Sequence, residues 1–379
     1  MRSSAVDLDF VRDHNDGLLL AMARATPTFD RASLAEASGL TPQAVSKVLA
    51  RLIDHGLVAP AGVRRQSVGK PANVYELVPT SRYAIGVHVA RRTLRMVLTD
   101  LMGDVRSSAS TPLPADFTPG NLLAGIAAGT ATITRDHPGA AGRITGVGIG
   151  MVGPLDHANG IVRDAHRLRH WHDIPLRARA QATLGLPVHL DKDVTAGVTA
   201  EAWRQGATFH DAALIMVESG IGAGLWLGGR AYRGAHTNAG EFGHSVLRFD
   251  GPVCVCGRQG CLEVLHDQAA AAGDIERAAR LLATGIINLL QTVDVDRIVL
   301  AGADLFRHAE TYRAVVEHAV RTEVPRPDWL TVDVTLSSLG ADVIAAGAAM
   351  QVLDARYGIP ATGGVPPVGG LPAASGLPG

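Results

Sequence analysis

The sequence predicts an α/β protein that carries a small α+β winged helix-turn-helix domain at its N-terminus. From Tyr83 onward, apolar runs typical of strands alternate with helical patterns, as in α/β folds. Residues 1–80 instead combine capped helices with a basic hairpin. The 379 residues exceed one compact core of ordinary size, so about two or three domains are expected.

Capping signals predict three helices in the N-terminal segment. The apolar residues 18–22 predict the first. Ser33 and Glu36 have the spacing of a capping box, which predicts a second helix with Ser33 as its N-cap and its end near Gly39. Thr41 and Pro42 predict the N-cap and the first residue of a third helix.

The third helix has two faces of different character. Its buried face is predicted from apolar residues at helical spacing: Val45, Val48, Leu49, Leu52 and Ile53. The opposite face carries Gln43, Ser46 and Lys47, which are short or polar enough to meet base edges and phosphates. Two helices joined by a glycine turn form a helix-turn-helix, whose second helix enters the major groove. We therefore predict that these three residues contact DNA.

A hairpin with a basic tip is predicted after the third helix. Arg64, Arg65 and Lys70 precede a strand-like apolar run at residues 74–78. Between residues 41 and 75 there are five basic residues against one acid, on a chain whose formal net charge is −1. The three basic residues are therefore predicted to contact operator DNA as a wing. The alternative is a small helical module with a solvated charged face, which binds a protein or nothing.

The remainder of the chain has the alternating pattern of an α/β domain. Residues 84–89 and 94–100 are predicted to form paired strands, and residues 144–150 a further strand. Residues 214–217 are predicted to begin a later unit, and a helix is predicted around residues 121–135.

All three cysteines lie in one short segment and predict a metal site. Cys254, Cys256 and Cys261 are punctuated by glycines, and His244 lies ten residues before the first of them. Zn²⁺ is held by about four thiolate or imidazole ligands in a tetrahedron, so these four residues predict a closed, structural zinc site. Two alternatives are buried or free cysteines and a disulfide, although a disulfide would leave one thiol over.

The residues that flank the cysteines resemble the signature of the ROK family (repressors, open reading frames and sugar kinases). Gly240-Glu241-Phe242-Gly243-His244 precedes the cysteines, and Leu262-Glu263 follows them. The resemblance continues at Gly148–Asp156 and in the closing segment Leu339–Ala349, and spans about residues 82–355. It implies an actin-like, sugar-kinase-type fold of two lobes with a cleft between them.

The resemblance also implies which residues bind a sugar. Glu241, His244 and Glu263 would line the sugar pocket, with one ring nitrogen of His244 on zinc and the other donating to a sugar hydroxyl. Asp193 matches the catalytic base of the family's kinases, and Lys192 replaces the asparagine that precedes it. The charge of Lys192 is expected to hold Asp193 ionised.

Residues in the family's phosphate-binding loops argue against ATP binding. His88 replaces the metal-side aspartate of the first loop, and Ala90-Arg91-Arg92 occupies the region of its glycines. Glu218-Ser219-Gly220 replaces Gly-Thr-Gly in the second loop and puts a carboxylate in the phosphate site, and Ala301–Asp304 departs from the family's Gly-Gly. Arg91 and Arg92 are best explained as an exposed turn. We therefore expect no enzyme activity.

The predicted domains are a winged helix-turn-helix at residues 1–80, a ROK sugar-binding domain at 82–357 and a disordered tail at 358–379. Lobe 1 would cover about 82–195 plus 335–357. Lobe 2 would cover about 196–334 and contain the zinc knuckle at 244–261. No run of about 18 apolar residues could span a bilayer, and the N-terminus lacks the form of a signal peptide, so a cytoplasmic protein without a membrane partner is expected.

The sequence therefore predicts a sugar-responsive DNA-binding regulator, with repression relieved by sugar as the default. Its partners would be operator DNA, a small sugar or sugar derivative and further copies of the chain, as a dimer or tetramer. Two alternatives are a sugar kinase with an appended DNA-binding domain and a repressor that senses metal at the cysteine site. Acetamido sugars, glucose, xylose and oligosaccharides all remain open as effectors.

Overall fold

The computed structural model describes residues 8–64, 71–164, 170–324 and 331–358. Arg65, Lys70 and the predicted disordered tail after Gly358 lie outside these ranges, so the predictions made for them stay predictions.

The N-terminal part folds as three helices and a small sheet in the order β1-β3-β2. Its elements are α1 (Leu8–Ala25), β1 (Phe29–Asp30), α2 (Arg31–Ser38), α3 (Pro42–Asp54), β2 (Val58–Arg64) and β3 (Ala72–Leu77). Strands β2 and β3 pair antiparallel as the predicted hairpin. The buried residues of α3 are Val45, Val48, Leu49 and Leu52, and Thr41 caps its N-terminus as predicted.

The predicted cap of the second helix was wrong. Asp30, not Ser33, is the N-cap of α2, and its side chain accepts a hydrogen bond from the Ser33 backbone N–H at 2.9 Å. The Ser33 hydroxyl closes the box from the N3 position, because the Asp30 N–H donates to it at 3.1 Å. Asp30 is also the last residue of β1, which pairs with β3, so the end of that strand is the start of the helix. The helix ends at Gly39 as expected.

A longer α/β region follows. Its strands are β4 (Tyr83–Val89), β5 (Thr93–Asp100), β6 (Val105–Pro112), β7 (Ile144–Met151), β8 (Leu155–Asp156), β9 (Ile161–Asp164), β10 (His172–Ile174), β11 (Val188–Lys192), β12 (Ala212–Val217), β13 (Ile221–Leu227), β14 (Arg230–Tyr232), β15 (Arg297–Ala301) and β16 (Asp333–Leu336). Its helices are α4 (Pro119–Asp136), α5 (Leu176–Leu184), α6 (Asp193–Gln205), α7 (Leu262–Ala271), α8 (Ile275–Val293), α9 (Ala303–Phe306), α10 (Ala309–Glu323) and α11 (Val343–Tyr357).

Two five-stranded sheets share one strand order. The first runs β11-β7-β4-β5-β6 and the second runs β14-β13-β12-β15-β16. In each, consecutive strands form an antiparallel meander, and two later strands extend the sheet in parallel beside its first strand. A separate small sheet, β10-β9-β8, lies between β7 and α5 in the chain. The repeated order confirms the α/β, two-lobed architecture expected from the sequence.

Helices α6 and α11 cross between the two sheets. Helix α6 follows the last strand of the first sheet and packs on β12 and β13 of the second. Helix α11 follows the last strand of the second sheet and packs on β4 and β7 of the first. The two helices approach so closely that a Cβ on Gly347 would lie 1.7 Å from the carbonyl oxygen of Ala196. Each lobe is thus tied to the other by the helix that leaves it.

One apolar cluster joins the N-terminal helices to the crossing helices. It runs from Leu19 and Leu49 to Trp203 and Leu353, all of which are buried. The guanidinium of Arg24 stacks on the Trp203 ring at 3.3 Å from its centroid. Within the described ranges, every helix is too short or too polar to cross a bilayer.

Candidate functional site

The structure brings the three cysteines and His244 together. Their four ligand atoms all lie within 4.8 Å of one another. The Nδ1 atom of His244 lies 3.5 Å from the Sγ of Cys254, and the Sγ atoms of Cys256 and Cys261 are 3.6 Å apart. Four soft donors at these separations suit the tetrahedral shell of Zn²⁺, in which zinc–sulfur bonds of about 2.3 Å place the ligands somewhat under 4 Å apart. The donor set therefore fits the predicted metal.

Local backbone contacts explain how the metal ligands converge. A short 3₁₀ turn, Phe242–His244, carries the histidine, and Cys261 caps the start of α7. The Leu262 N–H donates to the Ser245 carbonyl at 2.8 Å, so the histidine segment is fastened to that helix end. The Cys254 N–H donates to the Arg258 carbonyl at 2.7 Å and closes the loop between the cysteines. The same hydrogen bond places Glu263, the second residue of α7, beside the histidine segment.

Lys192 and Glu241 form an ion pair between the end of β11 and the segment before His244, where the sequence predicted the cleft. The ammonium of Lys192 lies 2.5 Å from the Oε1 of Glu241 and donates to the Ala239 carbonyl at 3.0 Å. The Lys192 side chain is only 5% exposed, whereas that of Glu241 is 33% exposed. The backbone before Glu241 requires a glycine at position 240, since a Cβ there would lie 2.0 Å from the Ala223 carbonyl oxygen. Lysine thus fills space beside the predicted sugar contact Glu241.

Asp193 begins α6 at the carboxyl end of β11. Burial raises the pKa of Asp193 above its usual range, against the opposing charge of Lys192, and nearby Glu241 raises it further. Lys192 lowers the pKa of Asp193, in the expected direction, but the effect of burial is larger. The ammonium of Lys192 is already engaged by Glu241.

Glu263 is buried at the start of α7. Its Oε2 accepts a hydrogen bond from the Ile221 N–H at 2.9 Å, at the beginning of β13. A Cβ on Gly220 would lie 2.9 Å from the same oxygen, and one on Gly243 would lie 3.2 Å from it. The carboxylate therefore lies between the β12–β13 turn and the segment that carries His244.

Glu218 and His88 face each other where the sequence predicted that phosphate binding was lost. The Nε2 of His88 lies 4.0 Å from the Oε2 of Glu218. Burial, together with the nearby charges of Asp193 and Asp304, raises the pKa of Glu218 to about 7. Burial lowers the pKa of His88 to about 4, so its imidazole is neutral at physiological pH. This part of the cleft presents carboxyl groups, which repel phosphates wherever they are ionised. Arg91 and Arg92 lie in the exposed turn between β4 and β5, as expected.

A buried network beside the cleft was not predicted from the sequence. Asp191 is 1% exposed and accepts hydrogen bonds from Arg233 at 2.8 Å and from Gln351 at 2.9 Å. It joins three separate segments: β11, the loop after β14, and α11. The only signal in the sequence was an aspartate at the end of an apolar strand, which says nothing of partners 42 and 160 residues away.

The predicted DNA-contact residues differ in how freely they face solvent. Gln43 and Lys47 are exposed on α3, opposite its buried face. Ser46 is half-buried, and its hydroxyl donates to the Pro42 carbonyl at 2.8 Å. Arg64 at the base of the wing lies 3.3 Å from the Asp30 carboxylate while its side chain stays 51% exposed. Arg51, another basic residue of this face, pairs with Asp16 and ties α3 to α1.

The family and structural comparisons agree with this architecture. Residues 84–272 match the model of the ROK family. The xylose repressor of Bacillus spizizenii is 27% identical over 383 residues, which cover 92% of this chain and 97% of that protein. Alignments with four curated relatives cover between 69% and 92% of this chain and between 65% and 97% of their own lengths.

Solved structures are similar in fold. A ROK family transcriptional regulator, a homologue of the E. coli MLC protein, superposes with a TM-score of 0.75 at 22% identity, over 93% of this chain and 98% of that one. The ROK hexokinase of Thermus thermophilus gives a TM-score of 0.58 at 26% identity, over 73% of this chain and 100% of that one.

The fold defines a two-lobed protein of the sugar-kinase type, preceded by a domain of three helices and a β-hairpin. With the match over residues 84–272, the chain belongs to the ROK family, and the resemblance predicted from its motifs is confirmed.

Proposed function

We propose that this chain is a sugar-responsive transcriptional repressor. The observation that carries the proposal is the joining of a winged helix-turn-helix to a ROK domain in a chain that aligns along 92% of its length with a xylose repressor. The exposed face of α3, with Gln43 and Lys47, would read an operator, and the wing would add phosphate contacts. A regulator of chromosomal DNA would act in the cytoplasm and bind a two-fold operator as a homodimer or tetramer.

We assign the domains as residues 1–80 for DNA binding and 82–357 for sugar binding, with the lobes divided as the sequence predicted. The sugar would lie against Asp193, Glu241, His244 and Glu263. Zinc would be held by His244, Cys254, Cys256 and Cys261, and the geometry of this cluster supports that assignment. A zinc ion bound there would fix the fold of the knuckle.

The chain's own groups explain how the site could recognise hydroxyls. With His244 Nδ1 facing the thiolates, its Nε2 carries the proton and can donate to a sugar oxygen. The carboxylates of Asp193 and Glu241 can accept from hydroxyls, and the Lys192 ammonium can donate. A sugar that binds Glu241 must compete with Lys192, so binding would rearrange the contact between β11 and the loop at Ala239.

D-xylose is the first effector to test, because the similar curated proteins are xylose repressors. The operator is obtained by letting the purified protein select duplexes from fragments of the genome that encodes it. Fluorescence anisotropy then measures affinity with and without D-xylose, D-glucose, N-acetylglucosamine and a disaccharide. We expect sequence-specific binding in the range of about 10⁻⁸ M that one sugar weakens at least about tenfold. A protein without specific duplex binding would refute the proposal.

Lys47→Ala tests the DNA-reading face directly. We expect weaker binding to every duplex and a salt slope reduced by about 0.9, because one phosphate contact is lost. Arg280→Ala, on the exposed surface of α8, is the matched control and should leave both quantities unchanged. Equal behaviour of the two variants would show that α3 does not contact DNA through Lys47.

A sugar kinase with an appended DNA-binding domain is the second candidate. The observation in its favour is the hexokinase-like fold with Asp193 at the carboxyl end of β11. Against it stand the carboxylates of Glu218 and Asp304, which face the place where phosphates would have to lie.

A further inference from the structure

Arg82 connects the recognition helix to the far end of the ROK domain. It lies in the linker between the wing strand β3 and the first ROK strand β4. Its Nε donates to the Tyr357 hydroxyl at 3.0 Å, and its Nη2 donates to the His55 carbonyl at 3.1 Å. The Nη1 atom donates to the Ser81 carbonyl at 2.7 Å and holds the guanidinium in the plane that serves both contacts.

The contact at His55 acts on the recognition helix itself. His55 is the C-cap of α3, and the carbonyls at a helix C-terminus have no partner within the helix. A guanidinium there satisfies one carbonyl and complements the negative end of the helix dipole. The direction of α3 is therefore tied to the position of Arg82.

The contact at Tyr357 acts on α11. Tyr357 is the last residue of that helix, and Gln351 lies six residues earlier, about 9 Å along the axis. Gln351 donates to Asp191, which is adjacent to Lys192 and its partner Glu241 in the cleft. One helix thus contacts the cleft at Gln351 and the DNA-binding domain at Tyr357.

Helix α11 is packed rigidly enough to carry a displacement over that distance. From Val343 to Leu353 its residues are buried without a break. The close approach of Gly347 to the Ala196 carbonyl packs α11 directly against α6, so a movement of α6 toward α11 is passed on by direct contact. A shift of β11 or α6 at the cleft must therefore move α11 as a unit.

We infer that Arg82 is a positioning residue that sets the orientation of α3 according to the position of α11. The inference rests on the proposed function and deepens it, because it names the contact through which cleft occupancy would reach the operator-reading helix. The route runs from Asp191 through Gln351 and Tyr357 to Arg82 and His55. No part of it touches DNA or sugar.

Tyr357→Phe is the sharpest variant, because it removes one oxygen and keeps the ring. Tyr232→Phe, at an exposed tyrosine on β14, is its matched control. Arg82→Lys keeps the charge but replaces the two nitrogens that reach Tyr357 and His55 with a single nitrogen and removes the planar fork. For each full-length variant we would measure operator affinity with and without D-xylose and the other sugars tested above, sugar affinity by calorimetry, and the melting temperature.

We expect Tyr357→Phe and Arg82→Lys to bind sugar and melt as the wild type does. The ratio of operator dissociation constants with and without sugar should fall at least about fivefold toward one. The double variant should show no further loss, because both changes break one route. A merely structural role would lower stability and leave the ratio unchanged. Wild-type ratios in both variants would overturn the inference.

A measurement without sugar separates this inference from the proposed function. If Arg82 fixes the direction of α3, sugar-free Tyr357→Phe should tolerate one base pair inserted between operator half-sites, where the wild type loses about tenfold in affinity. Equal discrimination by variant and wild type would overturn the inference. A wild type that binds its operator but responds to no sugar would contradict only the proposed sugar response. A wild type that binds no duplex would overturn both.

Discussion

Lys192 changes the character of the cleft by a single substitution relative to the family pattern. A lysine stands where the family pattern has an asparagine, and in the structure its ammonium lies 2.5 Å from the Oε1 of Glu241. An amide could donate and accept, whereas an ammonium only donates. Burial raises the pKa of Asp193 by more than the charge of Lys192 lowers it.

Glu218 is the residue whose titration should be visible in stability. Its pKa in the folded protein is about 7, above the ordinary value of 4.5, so the folded state holds this proton more tightly than the unfolded chain does. Stability is therefore expected to fall as pH rises from about 4.5 to about 7, by up to about 3 kcal/mol. Below that window the carboxyl is protonated in both states and contributes no difference.

Glu218→Gln should abolish that part of the pH dependence. The variant should match the wild type near pH 4 and exceed it in free energy of unfolding at pH 8, measured by urea denaturation at each pH. Glu276→Gln, at an exposed position of α8, is the matched control and should follow the wild-type curve. Parallel curves for Glu218→Gln and the wild type would contradict the prediction.

The knuckle at residues 244–261 exposes most of its large apolar side chains. Val246, Phe249, Val253 and Val255 are all exposed, with Phe249 at 87%. Two isolated bridges, Val246 with Cys261 and Val253 with Gln259, are its β pairing. The folded form of such a loop is expected to depend on the metal that its four ligands fit.

Cys261→Ser should therefore release the metal and lower stability. Zinc content by mass spectrometry should fall from about one ion per chain to near zero. Loss of an ion present at about a thousand times its dissociation constant removes about 4 kcal/mol, or roughly 10 °C in melting temperature. Val255→Ser, a non-ligand of the same loop, is the control. A wild type purified without zinc, or an unchanged melting temperature for Cys261→Ser, would contradict the assignment.

Helix α2 shows how an element can be predicted correctly in existence and wrongly in its start. Its end at Gly39 follows from the positive φ of 67° that glycine adopts without strain. Its start is at Asp30 rather than Ser33. Asp30 also pairs with Val74 of β3, a contact between residues 44 positions apart that local spacing does not reveal.

At the scale of the whole molecule, the two lobes place acidic side chains of both sheets in one cleft. Asp193 leaves β11 of the first sheet, whereas Glu218 and Asp304 follow β12 and β15 of the second. Their mutual influence on the pKa of Glu218 shows that they lie close together. A polyphosphate there would raise the pKa of these carboxyl groups further, so its binding would cost free energy wherever they are ionised.

We therefore predict that the purified protein has no sugar kinase activity. Calorimetry with Mg²⁺-ATP should give no binding below about 1 mM, and phosphorylation of D-glucose or D-xylose should be at least about a thousandfold slower than the 1–100 s⁻¹ typical of kinases. A ROK glucokinase assayed in parallel is the positive control. Turnover above that level, or tight nucleotide binding, would favour the kinase.

The sequence by itself determined what depends on local patterns. Helical spacing and caps predicted α3 with its buried and exposed faces, alternating apolar runs predicted the α/β region, and clustered cysteines predicted the grouping with His244. Each of these signals lies within about twenty residues, so chain neighbours alone could reveal it.

Only the tertiary structure decided which distant residues meet. It paired Lys192 with Glu241, Asp191 with Arg233 and Gln351, and Arg82 with Tyr357 across 275 positions of the chain. It also decided the direction of the pKa shifts, because burial rather than a neighbouring charge dominates at Asp193 and Glu218. Desolvation and long-range hydrogen bonds depend on how the lobes pack, which no local spacing encodes.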